Sequence, residues 1–149
     1  MSEMFPHNPL KFDARGLSAD EQRDLYAKLL LPRMIEEKMM SQLRQGKISK
    51  WFSGLGQEAI SVGVAAAMPR DKFIFPMHRN LGIFTTREVP LDRLFAQFQG
   101  KDHGFTKGRD RSFHFGSPEH HIVGMISHLG PQLGLADGVA LAEKLDGTG

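Results

Sequence analysis

The chain has no cysteine among its 149 residues. This excludes a disulfide framework and a thiolate metal centre, and it fits a reducing compartment. An excess of one charge sign is also missing, since 19 lysines and arginines face 17 acids. A balance that close leaves no electrostatic footprint for nucleic acid or a membrane surface. No apolar run approaches the length of a membrane span. Residues 1–16 carry Glu3 and Asp13 and lack a long apolar stretch, which argues against a signal or transit peptide. We therefore expect a soluble, cytoplasmic protein with no nucleic-acid and no membrane partner. The length suffices for one domain with its own core.

What the chain does have is small residues in runs. Residues 124–142 join a polar loop, with Ser127, His128 and Gln132, to a helix of small residues: Gly134, Ala136, Gly138, Ala140 and Ala142. Glycine inside a helix costs about 1 kcal/mol against alanine, so two in one helix imply close approach of a backbone or ligand. A tightly packed core helix is the plain reading of that helix alone. The polar groups before it ask for partners if the helix is buried, and a ligand is one such partner.

In chain order, residues 1–17 read as an arm, and residues 18–149 as the folded part. Ser18 and Glu21 form a capping box. A helix follows to Gln45, with Gly46 as its stop. Leu25, Leu29, Met34 and Leu43 give its apolar stripe, and Pro32 is expected to kink or divide it. Arg33, Glu36, Glu37 and Lys38 read as a solvated face. Trp51 and Phe52 are expected to be buried. The run Gly54-Leu-Gly-Gln-Glu-Ala59 opens a second helix that ends near Met68 and Pro69. Its glycines lack the Walker spacing and lysine, and Glu58 suits the first turn through the helix dipole.

Residues 72–75 read as a buried strand between Pro69 and Pro76. It delivers His78 and Arg79 to its C-terminal end, where open α/β sheets hold ligands. Arginine at that place can clamp an anion, although a surface salt bridge is the commoner fate of any one arginine. Another helix spans residues 91–99 and stops at Gly100. From Gly100 to His120 there is no regular element, and a polar loop that long is often functional. Its histidines, His103, His114 and His120, with His121, match no standard zinc spacing. Its basic and aromatic residues form no nucleic-acid module. His114 is the loop's best candidate for a catalytic or polar contact, with a structural role at least as common. Residues 121–124 read as a short strand.

Four motifs in order carry a resemblance: Gly56-Gln-Glu-Ala59, Met77-His-Arg-Asn-Leu-Gly82, Lys107-Gly-Arg-Asp-Arg-Ser-Phe-His114 and Ile126-Ser-His-Leu-Gly-Pro-Gln132. Together they resemble the α part of thiamine-diphosphate-dependent 2-oxo acid dehydrogenases. The branched-chain (2-oxoisovalerate) type is the most similar, including forms with α and β parts fused in one chain. The resemblance implies an α/β fold class, the N-terminal part of a doubly wound thiamine-diphosphate-binding fold, helix-rich and incomplete in this chain. It implies that Arg79 binds the diphosphate, helped by His78, which stands where the family usually has tyrosine. It implies that Ser127 and Leu129 meet the cofactor. Ile126, His128, Pro131 and Gln132 match a potassium loop, but Pro131 replaces a threonine that helps hold that ion, which counts against potassium.

The motif that holds magnesium (Mg2+) would follow on the next strand beyond Gly149, so no metal ligand of that kind is expected here. The partners implied are the β part or subunit and the lipoyl-bearing acyltransferase second component, with a small 2-oxo acid as substrate. The implied reaction is oxidative decarboxylation of that acid, with acyl transfer to the lipoyl group. The turn-like run Lys144-Leu-Asp-Gly-Thr-Gly149 ordinarily leads into another element, and a longer protein is expected. The alternatives are another thiamine-diphosphate enzyme, transketolase-like or acetoin-cleaving, and a non-enzymatic interaction module. Acyl transfer to lipoate, as against ketol transfer, separates the first two, and cofactor binding separates the third.

Overall fold

The computed structural model describes residues 16–110, 114–124, 128 and 130–148. Five α-helices carry it: α1 (Ala19–Arg44), α2 (Glu58–Ala67), α3 (Leu81–Thr86), α4 (Leu91–Phe98) and α5 (Pro131–Asp146), with a 3-10 turn at Pro118–His120. No helix among the described residues is long and apolar enough to cross a membrane.

The start of α1 is set locally. Ser18 Oγ accepts from Glu21 N at 3.3 Å, and Glu21 Oε2 accepts from Ser18 N at 2.7 Å. Two donors that the first turn leaves open are thereby satisfied. At the other end Gly46 takes φ +68°, the left-handed conformation that stops a helix. Pro32, expected to kink or divide α1, leaves it one continuous helix from Ala19 to Arg44. It is buried with Ile35, Glu36 and Met39, a stripe at i, i+3, i+4 and i+7 that holds the helix against its neighbours across the missing hydrogen bond. Of the expected stripe, Leu25, Leu29 and Leu43 are half-buried and Leu43 packs against the core, whereas Met34 is exposed and Glu36, read as solvated, is 1% exposed.

Helices α1, α2 and α3 pack on one another. The shortest of them, α3, has no local signature, and all six of its residues are buried. Packing makes it. A methyl group built on Gly82 would overlap Ser61 Oγ and lie 2.8 Å from Val62 Cγ2, so α2 and α3 touch backbone to side chain there. The core joins Met39, Trp51, Phe84, Leu94, Phe98, Phe115 and Ile122. Trp51 meets Phe98 edge-on at 5.0 Å, a favoured aromatic geometry.

The described residues are helix-rich, as expected, and hold no named strand. The two expected strands are reduced to one parallel bridge, Ile74 with Ile122, beside an antiparallel bridge of Ser117 with Ile122. Ile74 N donates to His121 O at 2.9 Å, and Val123 N donates to Ile74 O at 3.0 Å. A ladder needs further consecutive pairs, and Pro69 and Pro76 leave only a short segment between them. The second correction concerns α5. Expected to be buried, it has no buried residue, and Leu133 and Leu145 are 73% and 78% exposed. Its two glycines serve no close approach among the described residues, since a methyl on Gly134 or Gly138 would meet nothing within 4 Å, while Ala136, Val139 and Ala140 border a cleft with Phe73 and Phe75.

Candidate functional site

The turn after residues 72–75 is closed by its own polar groups. Met77 N donates to Asn80 Oδ1 at 2.7 Å, and Asn80 N donates to Met77 O at 2.9 Å. It leaves Arg79 exposed and His78 half-buried. Among the described residues the Arg79 guanidinium has no ion-pair or hydrogen-bond partner. The His78 ring stands edge-on to Phe52, with centroids 4.9 Å apart, and Phe52 stands 6.2 Å from the ring of His114. Burial, then the charge of Arg79, then His114, push the His78 pKa down. A neutral imidazole at this place offers one donor and one acceptor.

Behind that turn lies the segment from Trp51 to Gly54. Glu36, which is not on a solvated face as its neighbours in sequence suggested, accepts from Trp51 Nε1 at 2.7 Å, Ser53 Oγ at 3.0 Å and Gly54 N at 2.9 Å. Gly56 N donates to Glu58 Oε2 at 2.9 Å. The N–H groups of Gly54 and Gly56 are thus occupied by the protein's own carboxylates. The structure thus leaves these two N–H groups no room for a phosphate, in line with the missing Walker spacing. Glu58 itself stabilises structure, as its position in the first turn implied: it is buried and pairs with Arg33.

A cleft of about 410 Å³ opens beside Phe52, between Lys50 on one side and Arg109, Asp110 and His114 on the other. His114 Nδ1 lies 3.8 Å from Asp110 Oδ1. The loop is braced from below by buried Gln97, whose Nε2 donates to Thr106 Oγ1 and Asp110 O, each at 3.0 Å. His103 is elsewhere, paired with Asp92 at 3.1 Å, and His120 bonds Ser117 Oγ at 2.7 Å. His78 and His114 are therefore brought together, and His103 and His120 are not. Phe52, expected only to be buried, is half-buried, and neither it nor Lys50 carried a sequence signal for a site, because their partners lie far along the chain.

The start of α5 approaches the same turn. Gln132 Nε2 donates to Pro76 O at 3.0 Å, and Gln132 Oε1 is buried without a partner. Gly130 at φ +99° precedes Pro131, and no side chain caps this helix. Pro131 brings no N–H to that start, and Leu133 N donates to Gly130 O at 2.9 Å, which leaves Gln132 N as the N–H of the first turn without a backbone acceptor among the described residues. His128 is exposed. Ile126, Ser127 and Leu129 lie outside the described residues, so the expected cofactor contacts of Ser127 and Leu129 and part of the potassium loop do too. No group of three or more His, Asp or Glu side chains able to hold a metal occurs among the described residues.

A guanidinium unpaired among the described residues, beside a neutral imidazole, forms a donor set that fits a diphosphate. The orphaned Gln132 oxygen fits a donor or a cation instead.

A family model described as dehydrogenase E1 component matches residues 26–149. The human 2-oxoisovalerate dehydrogenase subunit alpha, mitochondrial, is 33% identical over 120 residues, 80% of this chain and 27% of that protein. The subunit alpha of Dictyostelium discoideum is 32% identical over 132 residues, 89% of this chain and 30% of that protein. The Bacillus subtilis (strain 168) 2-oxoisovalerate dehydrogenase subunit alpha is 33% identical over 142 residues, 91% of this chain and 42% of that protein. The chain thus spans well under half the length of these curated relatives.

Proposed function

Because this chain belongs to the dehydrogenase E1 component family, we propose that it forms one side of a thiamine-diphosphate site in an enzyme that oxidatively decarboxylates a 2-oxo acid. The carrying observation is the Arg79 guanidinium, unpaired among the described residues and beside His78, at the end of residues 72–75 that the start of α5 also reaches. Arg79 holds the diphosphate by charge-assisted hydrogen bonds, and His78 donates one more. Ser127 and Leu129 meet the cofactor as well, as the resemblance of Ile126-Ser-His-Leu-Gly-Pro-Gln132 to the family motif implies. Magnesium would be held with the diphosphate by residues that this chain does not supply, and would offset the charge of that group. Thiamine diphosphate, when bound, would supply the thiazolium that accepts the electron pair left behind as carbon dioxide departs. The residues of this chain bind the cofactor's charged tail and keep water from it.

The substrate is a branched-chain 2-oxo acid, with pyruvate as the competing choice, in keeping with relatives named for 2-oxoisovalerate. The acyl group passes to the lipoyl group of the second component, and a β part completes the site. The bridge of Ile74 with Ile122 belongs to a doubly wound parallel sheet in the complete protein. By itself the 149-residue chain is inactive and self-associates, in keeping with the exposed Leu133, Leu135, Leu141 and Leu145 of α5.

The test is the complete enzyme, assembled with its β part, thiamine diphosphate and magnesium. Carbon dioxide release from 2-oxoisovalerate and pyruvate is compared, with acyl transfer to a lipoylated acceptor domain. Release and transfer favouring the branched substrate are expected. Ketol transfer without lipoyl acylation, or no cofactor binding at all, overturns the reading.

A further inference from the structure

Glu36 is a carboxylate 1% exposed in the middle of α1. Burying a carboxylate costs several kcal/mol unless its oxygens are well satisfied, and an apolar residue there would serve packing as well or better. Its three donors all come from one four-residue segment: Trp51 and Ser53 to Oε2, Gly54 N to Oε1. So many bonds to so short a segment specify its path, and that path leads directly onto the candidate site.

Gly54 is held between Glu36 and Arg79. A methyl group built on it would overlap the Arg79 carbonyl oxygen, lie 3.2 Å from the Arg79 carbonyl carbon, and lie 3.4 Å from Glu36 Oε1. Phe52, from the same segment, sets its ring against His78 at 4.9 Å. One buried carboxylate thereby fixes two neighbours of consecutive site residues, the ring beside His78 and the backbone behind Arg79. Glu36 itself lies behind Gly54, with its oxygens occupied by the segment's donors.

We propose that Glu36 is a positioning residue for the diphosphate-binding turn, acting on Arg79 through Gly54 and on His78 through Phe52. This rests on the reading of Arg79 as a cofactor contact. Displacing a guanidinium by a fraction of an ångström weakens charge-assisted hydrogen bonds without removing the charge.

The experiment is a double-mutant cycle on the complete enzyme with its β part, read by calorimetric titration of thiamine diphosphate in excess magnesium. Glu36→Gln keeps the shape and turns one acceptor into a donor, so an amide N–H must face Gly54 N–H or Trp51 Nε1–H. It should weaken binding about tenfold, roughly the loss of 1.4 kcal/mol. In an Arg79→Ala background the same substitution should weaken it less than about twofold, because only His78, the uncharged one of the two positioned groups, is left. Turnover at saturating cofactor should stay near the parent value.

Equal loss in both backgrounds overturns the proposal and leaves Glu36 a structural residue, and so does the absence of any loss. If Glu36→Gln does not accumulate, the cycle is run with Ser53→Ala, which removes one of the three donors and should give about a threefold loss dependent on Arg79. A separate outcome concerns the underlying reading: if Arg79→Ala alone binds the cofactor normally, the cofactor assignment fails, whatever Glu36 does.

Discussion

Arg33 and Glu58 meet in a two-pronged ion pair, Nε to Oε1 at 2.6 Å and Nη2 to Oε2 at 3.0 Å, that ties the middle of α1 to the first turn of α2. Glu58 also accepts from Gly56 N. One carboxylate thus joins two helices and the glycine loop before the second. The Arg33 hydrogen bond, with smaller help from backbone N–H groups, holds the Glu58 carboxyl down at about 2, against its ordinary 4.5.

A pH dependence follows. Glu58 is ionised in the folded protein far below the pH at which it protonates in the unfolded chain. The stabilisation is therefore fully present above about pH 4.5 and is lost as pH falls through about 2. Denaturant melts of the complete protein should show a gap between the parent and Glu58→Gln near pH 6 that closes towards pH 2. Because Arg33 is 41% exposed, added salt should narrow the gap at pH 6. A gap constant with pH would mean that the carboxylate charge contributes nothing.

Arg79→Ala in the complete enzyme should weaken thiamine-diphosphate binding by about ten- to a hundredfold, the loss of one or two charge-assisted bonds. Arg79→Lys should recover part of this, since an ammonium cannot reproduce the planar fork. The melt of the apo form should not change, because the side chain is exposed and makes no ion pair among the described residues. Normal cofactor binding by Arg79→Ala would contradict the site assignment.

Arg87 is a different arginine. It is 3% exposed and donates to the carbonyl oxygens of Pro69 at 3.2 Å, Arg70 at 2.8 Å, Lys72 at 3.2 Å and His120 at 3.4 Å. It staples the ends of residues 69–72 and the 3-10 turn around α3. Arg87→Ala leaves these carbonyls without that donor, and should destabilise by about 3–5 kcal/mol. Arg87→Lys should recover less than half, having no fork to span them. Thermal melts and soluble yield check this; a loss below about 1 kcal/mol would show that water replaces the guanidinium.

Gly82→Ala should cost about 1–3 kcal/mol by forcing α2 and α3 apart. Its methyl overlaps Ser61 Oγ. Ser61→Ala in the same chain should relieve part of that cost, a coupling expected of residues in contact. Additive losses would place the clash elsewhere.

The sequence by itself determined what neighbours within one helical turn decide. The capping box of Ser18 and Glu21, the stop at Gly46, and the end of α4 before Gly100 at φ +66° were legible because each involves residues three or four apart. The place of Arg79 and His78 after an extended apolar segment was legible for a similar reason. Tertiary structure decided the rest. Glu36 reads as one charge in a charged run, and its burial depends on donors 15 to 18 residues away. α3 exists because α2 lies against Gly82, and the Ile74 bridge needs Ile122. The small residues of α5 predicted burial, yet a helix is buried only where something packs against it. Local rules fix where a helix starts and stops, but which face is covered, and which charge is enclosed, depends on what the rest of the chain places against it.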